Sequence, residues 1–261
     1  MKAIVLSCDR YRPLTEHMTF QYGRLWPDHP FVFRIPYQQL AGRDDARHEY
    51  RQTPFAIKAT VLALLEGLPD EEWIYWCIDD KYPVWLDLPR IRDAMQWAES
   101  QPTGAADGVL FCRARSVLSP RAFTGQQTHT AGRQLLLRQK AYGQIWVHQL
   151  LRVRVLRHLF ACFPDAIPQA KSLDALLRAV ALPPDHALWV TSRNHAVFGE
   201  STQAGRLTAN ARDSFVAHGR PVPAMPVDES VRIHVGERAG AFWIALTRAW
   251  LKALRRPGAR R

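Results

Sequence analysis

The chain has 261 residues, 47% of them hydrophobic and 23% charged, with a net charge of +11. This composition excludes a disordered chain, a collagen-like fibre and a small disulfide-stapled scaffold, and no apolar run reaches the roughly 18 residues of a membrane span. The four cysteines have no CxxC spacing, and the N-terminal residues lack the apolar stretch of a signal peptide. We therefore expect a cytoplasmic protein with free thiols.

The first half of the chain alternates strand and helix patterns. Continuous apolar runs predict strands at residues 2–8, 31–35, 73–78 and 108–112. Helical spacing of apolar residues, with prolines at the starts, predicts helices at 13–26, 54–68 and 89–99. The order predicts an α/β fold with a Rossmann-type, mostly parallel sheet flanked by helices. Ligands of such sheets bind at the carboxyl ends of the strands.

The second half is less regular. The predicted elements are a long helix at 145–163, a helix at 172–180 capped by Ser172, a strand at 187–191, a helix at 209–218, an extended linker at 222–227 and a strand at 231–235. Small polar residues fill the segment 191–208, which is typical of an active-site loop.

The positive charge is concentrated in two parts of the chain. Residues 108–164 carry nine arginines and lysines and no acid, and residues 238–261 carry seven and no acid. The middle part either faces an anionic acceptor or is a solvated helical face. The tail has apolar residues at helical spacing, which predicts a basic amphipathic helix. That helix either packs on the domain or lies on an anionic membrane surface.

Two polar clusters follow predicted strands. One is Ser7–Tyr11 (SCDRY), after the first strand, and the other is Asp79–Lys81 (DDK), after the strand WIYWCI. Carboxylates at such a place hold a hard divalent cation that neutralises a diphosphate, or they cap backbone N–H groups of a loop. The sequence has no GxGxxG and no GxxxxGK[ST] phosphate loop to compete with them.

Three segments, VLSCDRYRPL, LWPDHPF and EEWIYWCIDDKYP, together resemble a family of bacterial GT-A-type glycosyltransferases. The resemblance covers about residues 1–90 well and the rest loosely. It rests on a first strand ending in Ser-x-Asp-x-Tyr, a Trp-Pro-Asp step before the second strand, and a strand ending in Asp-Asp. It implies one GT-A-like domain at 1–237, with a donor-binding half at 1–113 and an acceptor half at 114–237.

The resemblance also implies site residues. Asp79 and Asp80 would hold Mn²⁺ or Mg²⁺ and the donor diphosphate, as the family's Asp-x-Asp motif does. This chain has Asp-Asp instead, so Lys81 or an arginine is an alternative to the ion. The resemblance places Asp9 and Tyr11 near the nucleotide. The residues themselves add further candidates: Arg193 and Arg206 flank the segment with Glu200 and could bind phosphates. The full set of candidate contacts to the nucleotide-sugar donor is Ser7, Asp9, Arg10, Tyr11, Asp79, Arg193 and Arg206.

An inverting sugar transfer needs a carboxylate general base for the acceptor hydroxyl, whereas a retaining enzyme places a different group on the opposite face. Glu200 in FGESTQAGRLT is the first candidate base and Asp165 in CFPDAIP the second. Asp174 is better explained by the dipole of its helix. His195 either helps to bind acceptor or phosphate or is a packing residue, and Trp146 either stacks on a sugar ring or belongs to the core.

The leading interpretation is a glycosyltransferase that moves a sugar from a nucleotide-diphosphate donor to a hydroxyl of a bacterial surface glycan or a lipid-linked precursor. Its basic tail would suit work at the inner face of the cytoplasmic membrane. The alternatives are a nucleic-acid-binding or nucleotide-transferring protein and a non-catalytic scaffold of the same fold. Nucleic acid is disfavoured because the sequence has no RNA-binding motif with interleaved aromatic residues.

Overall fold

A computed structural model describes residues 1–112, 122–166 and 172–229. The chain forms two compact units, residues 1–197 and a second unit that begins at Phe198. The predicted strand at 231–235 and the predicted basic helix at 238–261 lie outside the described residues. Within the described ranges, no helix is long and apolar enough to cross a membrane.

The first unit contains ten strands and five helices among its described residues. The strands are β1 (Lys2–Leu6), β2 (Val32–Tyr37), β3 (His48–Gln52), β4 (Trp73–Ile78), β5 (Lys81–Leu86), β6 (Gly108–Leu110), β7 (Phe123–His129), β8 (Leu135–Gln139), β9 (Gln149–Arg152) and β10 (Leu188–Thr191). The helices are α1 (Arg12–Leu25), α2 (Ile57–Leu64), α3 (Leu88–Glu99), α4 (Val153–Ala161) and α5 (Leu173–Ala179).

Nine strands form one sheet in the order β3-β2-β1-β4-β9-β6-β10-β8-β7. The first four run parallel, β9 is antiparallel to both of its neighbours, β6 and β10 are parallel, and β8 is antiparallel to β10 and β7. Seven of the nine strands, all except β9 and β8, therefore point the same way. The predicted α/β fold with a mostly parallel sheet flanked by helices is confirmed.

The core lies on both faces of β1 and β4, which explains their continuous apolar sequences. Ala3, Ile4 and Val5 are fully buried, and β4 is buried from Ile74 onward. Helices α2 and α4 bring apolar side chains such as Leu64 against this part of the sheet. A strand covered by helices on both faces must be apolar at every position.

The predicted long helix at 145–163 is wrong. Gln149–Arg152 form β9, which lies between β4 and β6, and the helix begins only at Val153. A short apolar run fits a buried strand as well as a helix. Arg152 can lie inside because its guanidinium donates to the carbonyls of Glu71, Gln101 and Ala106.

Strands β3, β5, β7 and β8 were not predicted. β3 (HEYRQ) and β7 (FTGQQTH) are the two edges of the nine-stranded sheet, and most of β7 is exposed. Edge strands lack the buried neighbours that impose an apolar pattern, and polar side chains there oppose edge-to-edge association. Their sequences therefore give no strand signal by hydrophobicity alone.

The second unit holds α6 (Ala209–Ala217) and the three-stranded sheet of β12 (Thr202–Gln203), β13 (Arg206–Thr208) and β14 (Val227–Asp228). A further strand, β11 (Ala196–Glu200), begins in the first unit. The prediction of an irregular loop at 191–208 is therefore wrong for most of its length, because short strands also accept Ser, Thr and Gly. The predicted linker at 222–227 ends in β14.

Two helix starts differ from each other in their caps. The Thr208 side chain accepts the Ala211 N–H and so caps α6. Ser172, predicted to cap α5, precedes that helix but makes no side-chain cap hydrogen bond. The helix is confirmed and its predicted cap is wrong.

Candidate active site at the carboxyl edge of the sheet

Three polar segments follow adjacent parallel strands. Ser7–Tyr11 follow β1, Gln38–Leu40 follow β2, and Asp79–Lys81 follow β4. Leu6 pairs with the last residue of β4, and its carbonyl accepts the Asp79 N–H at 3.2 Å. The tertiary structure thus brings the two predicted polar clusters to the same edge of the sheet, where ligands of such sheets bind.

Asp9 organises the segment after β2. Its carboxylate accepts the backbone N–H groups of Gln38, Gln39 and Leu40 at 2.7–3.2 Å and lies 3.3 Å from the Arg12 guanidinium. Desolvation raises the pKa of this carboxyl, but the three backbone donors and Arg12 outweigh it and lower the pKa overall. The carboxylate therefore shapes the rim of the edge, and its predicted contact with a nucleotide stays a prediction.

Asp79 is buried without a full set of partners. It is 9% exposed, and its Oδ2 has no hydrogen-bond partner in the described part of the chain. Desolvation raises the pKa of this carboxyl to about 8, the hydrogen bond from Ser7 lowers it, and the neighbouring Asp80 raises it further. Thr15 Oγ1 donates to Ser7 Oγ at 2.8 Å and so orients that serine.

Asp80 completes the acidic pair from a more open position. Its side chain is 39% exposed, and Oδ2 lies 3.4 Å from the Lys81 ammonium. A buried carboxylate oxygen without a donor next to a second carboxylate fits a hard divalent cation, which would cancel the cost of burying the charge. Within the described residues, no group of three or more His, Cys, Asp or Glu could hold a metal. Asp79 and Asp80 would therefore share the ion with ligand phosphates and water, as Mg²⁺ commonly does.

Arg10 and Tyr11 lie in a single 3-10 turn, Asp9–Tyr11, directly before α1. Arg10 is exposed, and its guanidinium carbon is 5.6 Å from the centroid of the Tyr11 ring. Both side chains thus stand at the same edge as the acidic pair, and their predicted contacts with the donor stay predictions.

The segment after β10 reaches the same edge. Arg193 is exposed, and its carbonyl accepts the Thr191 hydroxyl at 2.7 Å. The His195 backbone donates to the Phe111 carbonyl at 2.7 Å and accepts the Asp87 N–H at 2.8 Å. Its ring is buried, and desolvation lowers the pKa of the imidazole to about 4. A neutral, buried ring with such backbone bonds fits the packing interpretation of His195.

The two candidate bases have different surroundings. Glu200 is partly buried at the end of β11, and its carbonyl accepts the Thr208 hydroxyl at 2.6 Å. Asp165 has a 94% exposed side chain 2.8 Å from the Lys58 ammonium, which lowers the pKa of the carboxyl. Among the described residues, Asp165 therefore has only the Lys58 ion pair recorded beside it. Both roles stay predictions, with Glu200 first.

The surroundings of three further predicted residues give each a structural explanation. Arg206 is exposed and donates to the Val227 carbonyl at 2.9 Å within the second unit. Asp174 lies in the first turn of α5, as the helix-dipole explanation requires. Trp146 packs edge-on against Phe160, with ring centroids 6.5 Å apart, which favours the core alternative over sugar stacking.

Four described arginines of the basic middle have internal partners. Arg152 and Arg154 contact the buried Asp107, Arg157 pairs with Asp70, and Arg138 donates to the His186 carbonyl. The absence of acids from residues 108–164 thus reflects partners that come from elsewhere in the sequence. This arrangement favours the structural interpretation of the basic middle over an anionic-acceptor surface.

One site residue was missed by the sequence reasoning. His148, directly before β9, is fully buried, with Nε2 2.9 Å from the Ile78 carbonyl and Nδ1 2.7 Å from the Tyr22 hydroxyl. Burial lowers the pKa of the imidazole to about 3. The partners lie 70 and 126 residues away along the chain, so no local pattern identifies this histidine.

No family model and no curated protein matches the sequence. Among solved structures, an active-site mutant of LgtC is 9% identical, covering 83% of this chain and 78% of that one at a TM-score of 0.38. Staphylococcus aureus TarS 1–349 is 12% identical, covering 75% and 59% at a TM-score of 0.43. A putative glucose-1-phosphate thymidylyltransferase from Bacillus anthracis is 11% identical, covering 85% and 96% at 0.42.

These structural neighbours thus include a glycosyltransferase and a nucleotidyltransferase, since LgtC is also described as a galactosyltransferase in complex with donor and acceptor sugar analogues. At these identities the activities named belong to those proteins.

Proposed function

We propose that the protein is a nucleotide-sugar-dependent glycosyltransferase that transfers a sugar from a nucleotide diphosphate to an acceptor hydroxyl. The observation that carries the proposal is the pair Asp79-Asp80 at the carboxyl edge of the sheet, where the buried Asp79 Oδ2 has no hydrogen-bond partner among the residues that the structure describes. A buried carboxylate oxygen without a partner needs an explanation, and a cation bound at the ligand-binding edge of the sheet supplies one. A divalent cation with a diphosphate is the ligand that matches two adjacent carboxylates.

The residues at this edge have different proposed roles in binding the cation and the diphosphate. Asp79 and Asp80 hold Mn²⁺ or Mg²⁺, Ser7 keeps Asp79 oriented, and Asp9 keeps the rim after β2 in place through its backbone bonds. When bound, the cation supplies charge neutralisation of the diphosphate leaving group. Arg10 and Lys81 add positive charge at the same edge.

The transfer breaks the bond between the sugar C1 and the diphosphate oxygen and forms a bond from C1 to the acceptor oxygen. The electron pair of the broken bond leaves with the diphosphate, and the acceptor proton passes to a base. We propose Glu200 as this base for an inverting transfer. The acceptor we propose is a hydroxyl of a bacterial surface glycan or a lipid-linked precursor.

The proposal is tested by thermal unfolding with UDP, GDP, CDP and TDP, each with and without Mn²⁺. A ligand that binds only the folded state raises the melting temperature by mass action. We expect a shift with one nucleotide that Mn²⁺ enlarges, and loss of the Mn²⁺-dependent part in Asp80→Asn. The matched control is Asp28→Asn, which removes an exposed carboxylate paired with Arg92 and should keep the shift.

A protein that shows no shift with any nucleotide would contradict the proposal. A metal-independent shift that survives in Asp80→Asn would assign the diphosphate to Lys81 and the arginines instead. Slow release of free nucleotide diphosphate from the matching nucleotide sugar would support glycosyl transfer, whereas release of pyrophosphate from a nucleoside triphosphate would favour nucleotide transfer.

The base is tested separately with Glu200→Gln. We expect unchanged nucleotide binding and a turnover about 10²–10⁴-fold lower, which is the usual contribution of a general base. The measurement is donor turnover with an added acceptor beside the thermal shift. Full turnover in this variant would return the role to Asp165 or to another group.

A further inference from the structure

The last carbonyl of β4 is held by a side chain instead of a strand. The ladder between β9 and β4 ends with Gln149 opposite Trp76, two residues short of Ile78. At that place the Ile78 carbonyl lies 2.9 Å from His148 Nε2. Because Ile78 directly precedes the acidic pair, this bond helps to fix the point from which Asp79 and Asp80 leave the sheet, together with the Asp79 N–H that donates to the Leu6 carbonyl.

The hydrogen-bond directions of the network follow from its chemistry. The Ile78 carbonyl can only accept, so His148 Nε2 carries the proton and Nδ1 accepts from the Tyr22 hydroxyl at 2.7 Å. The Tyr22 oxygen then accepts from the Tyr75 hydroxyl at 3.0 Å. The Tyr22 and His148 rings also stack, with centroids 5.8 Å apart and planes 23° apart. The imidazole therefore has one tautomer and one orientation.

Burial keeps this arrangement constant with pH. His148 and Tyr22 are fully buried, and Tyr75 is 3% exposed. Desolvation lowers the pKa of the imidazole to about 3, partly offset by the bond to the Ile78 carbonyl, and Lys81 lowers it further. His148 thus stays neutral at physiological pH, so it holds the carbonyl as a fixed donor and does not exchange protons with a ligand.

The network also joins the two halves of the site. Tyr22 belongs to α1, which begins directly after the segment Asp9–Tyr11. The same helix provides Thr15, which orients Ser7 and through it Asp79. One helix therefore holds the acidic pair by two routes, the side chain of Asp79 through Ser7 and the backbone before it through His148.

We propose that His148 is a positioning residue for the Asp79-Asp80 pair: through the Ile78 carbonyl it sets the geometry in which the two carboxylates share one divalent cation. The metal role of the pair rests on the proposed function. Groups that hydrogen-bond metal ligands are worth about 10–100-fold in metal affinity, and His148 acts one residue before the ligands, so the lower end of that range is expected. A histidine that only fills the core would affect stability and leave the affinity unchanged.

The test uses two substitutions of His148 in the full chain. His148→Gln keeps an N–H donor near the position of Nε2, whereas His148→Leu keeps the bulk and removes the donor. We expect the dissociation constant of Mn²⁺ alone, measured by electron paramagnetic resonance, to rise about tenfold in His148→Leu and less than about threefold in His148→Gln. Met95→Ala in α3 is the control for a general loss of stability, since it removes buried volume elsewhere.

A second readout does not depend on metal binding. Hydrogen exchange of the amides of residues 79–81 reports how firmly the turn is held. We expect exchange about tenfold faster in His148→Leu, and rates close to those of the unsubstituted protein in His148→Gln and Met95→Ala. If the unsubstituted protein binds no Mn²⁺, the metal site of the proposed function is contradicted. The hydrogen-exchange rates of residues 79–81 still decide whether His148 fixes the turn.

Three results would overturn the assignment. In His148→Leu, the amides of residues 79–81 could exchange at the rates of the unsubstituted protein, and Mn²⁺ could bind with the same dissociation constant. His148→Gln could be as weak a Mn²⁺ binder as His148→Leu. Met95→Ala, at an equal loss of melting temperature, could lose as much Mn²⁺ affinity as His148→Leu, which would attribute the effect to stability.

Discussion

Two buried aspartates lie at opposite ends of the parallel strands of the same sheet. Their hydrogen-bond and ion-pair partners differ. Asp79, after β4, has one carboxylate oxygen that no described residue hydrogen-bonds, and burial raises the pKa of its carboxyl to about 8. Asp107, before β6, is fully buried but accepts the backbone N–H groups of Gly104 and Ala187 and pairs with Arg154 at 3.1 Å. Burial is common to both, so burial alone does not mark a site.

The difference lies in whether the fold itself satisfies the charge. Asp107 ties β6, β9 and β10 together, because Arg152 at the end of β9 also lies 3.6 Å from its carboxylate. Everything that this carboxylate needs comes from the chain. Asp79 has the Ser7 hydroxyl and nearby backbone N–H groups but no basic partner, and within the described residues its Oδ2 has no hydrogen-bond partner. An unsatisfied buried acid at the ligand-binding edge is therefore the feature that points to function.

The largest expected effect is a loss of stability when Asp107 is replaced. Asp107→Asn leaves the buried Arg152 without a carboxylate partner and leaves Arg154 only its pair with Asp185, which costs about 3–5 kcal/mol in free energy of unfolding. Urea unfolding at constant m-value measures this cost. Asp28→Asn, at the exposed pair with Arg92, is the control and should cost less than about 1 kcal/mol. An equally small loss in Asp107→Asn would show that its ion pairs with Arg152 and Arg154 contribute little, and that Asp107 does not differ from Asp79 in this respect.

The second prediction is a gain of stability instead of a loss. Asp79→Asn removes a charge that the metal-free protein buries at a cost, so we expect the melting temperature to rise by a few degrees at pH 8 in EDTA. The same substitution should abolish the Mn²⁺-dependent shift with nucleotide. A loss of stability in EDTA would show that the Asp79 carboxylate is satisfied within the fold.

The pH dependence of that gain follows from the direction of the pKa shift. The folded-state pKa of Asp79, about 8, lies above the ordinary value of 3.8, so the folded state binds more protons between these two values. The free energy of unfolding therefore falls as pH rises through this window. The advantage of Asp79→Asn should accordingly grow from pH 4 to pH 8 and be smallest at the acid end, as thermal unfolding in EDTA will measure.

The smallest effect is expected at Glu49 on the edge strand β3, an acid with several basic partners. Desolvation raises the pKa of Glu49, but Lys2, Arg51 and Arg34 outweigh it and lower the pKa to about 2. A depressed pKa stabilises the fold above the ordinary value of 4.5 and loses that contribution between 4.5 and 2. Glu49→Gln should cost about 1 kcal/mol at pH 7 in urea unfolding and nothing near pH 2. A cost that persists at pH 2 would show that packing, not charge, explains it.

Elements near the centre of the sheet could be predicted because they are buried on both faces. The strand at Trp73–Ile78 was predicted with the bounds that it has, and the predicted helix at 89–99 begins one residue earlier, at Leu88. The edge strands β3 and β7 could not be predicted, because their exposed positions carry polar residues. The segment 149–152 was assigned to a helix, since only its place between β4 and β6 decides in favour of a strand.

The candidate site was predictable in part for the same reason. A polar residue directly after an apolar strand is visible in the sequence, which located Ser7–Tyr11 and Asp79–Lys81. The Gln38–Leu40 segment that Asp9 organises gave no such signal, and neither did His148. Their roles depend on backbone groups and side chains that only folding brings within hydrogen-bond distance.

By itself, the sequence determined the α/β class and the two polar clusters, because parallel strands buried on both faces need unbroken apolar runs and end where polar residues begin. Only the tertiary structure decided that β9 enters the sheet antiparallel and that Arg152 and Arg154 pair with Asp107. It also decided that Asp79 Oδ2 has no hydrogen-bond partner in the described part of the chain. Those features depend on contacts between residues far apart in the chain. Hydrophobic periodicity carries no information about such contacts.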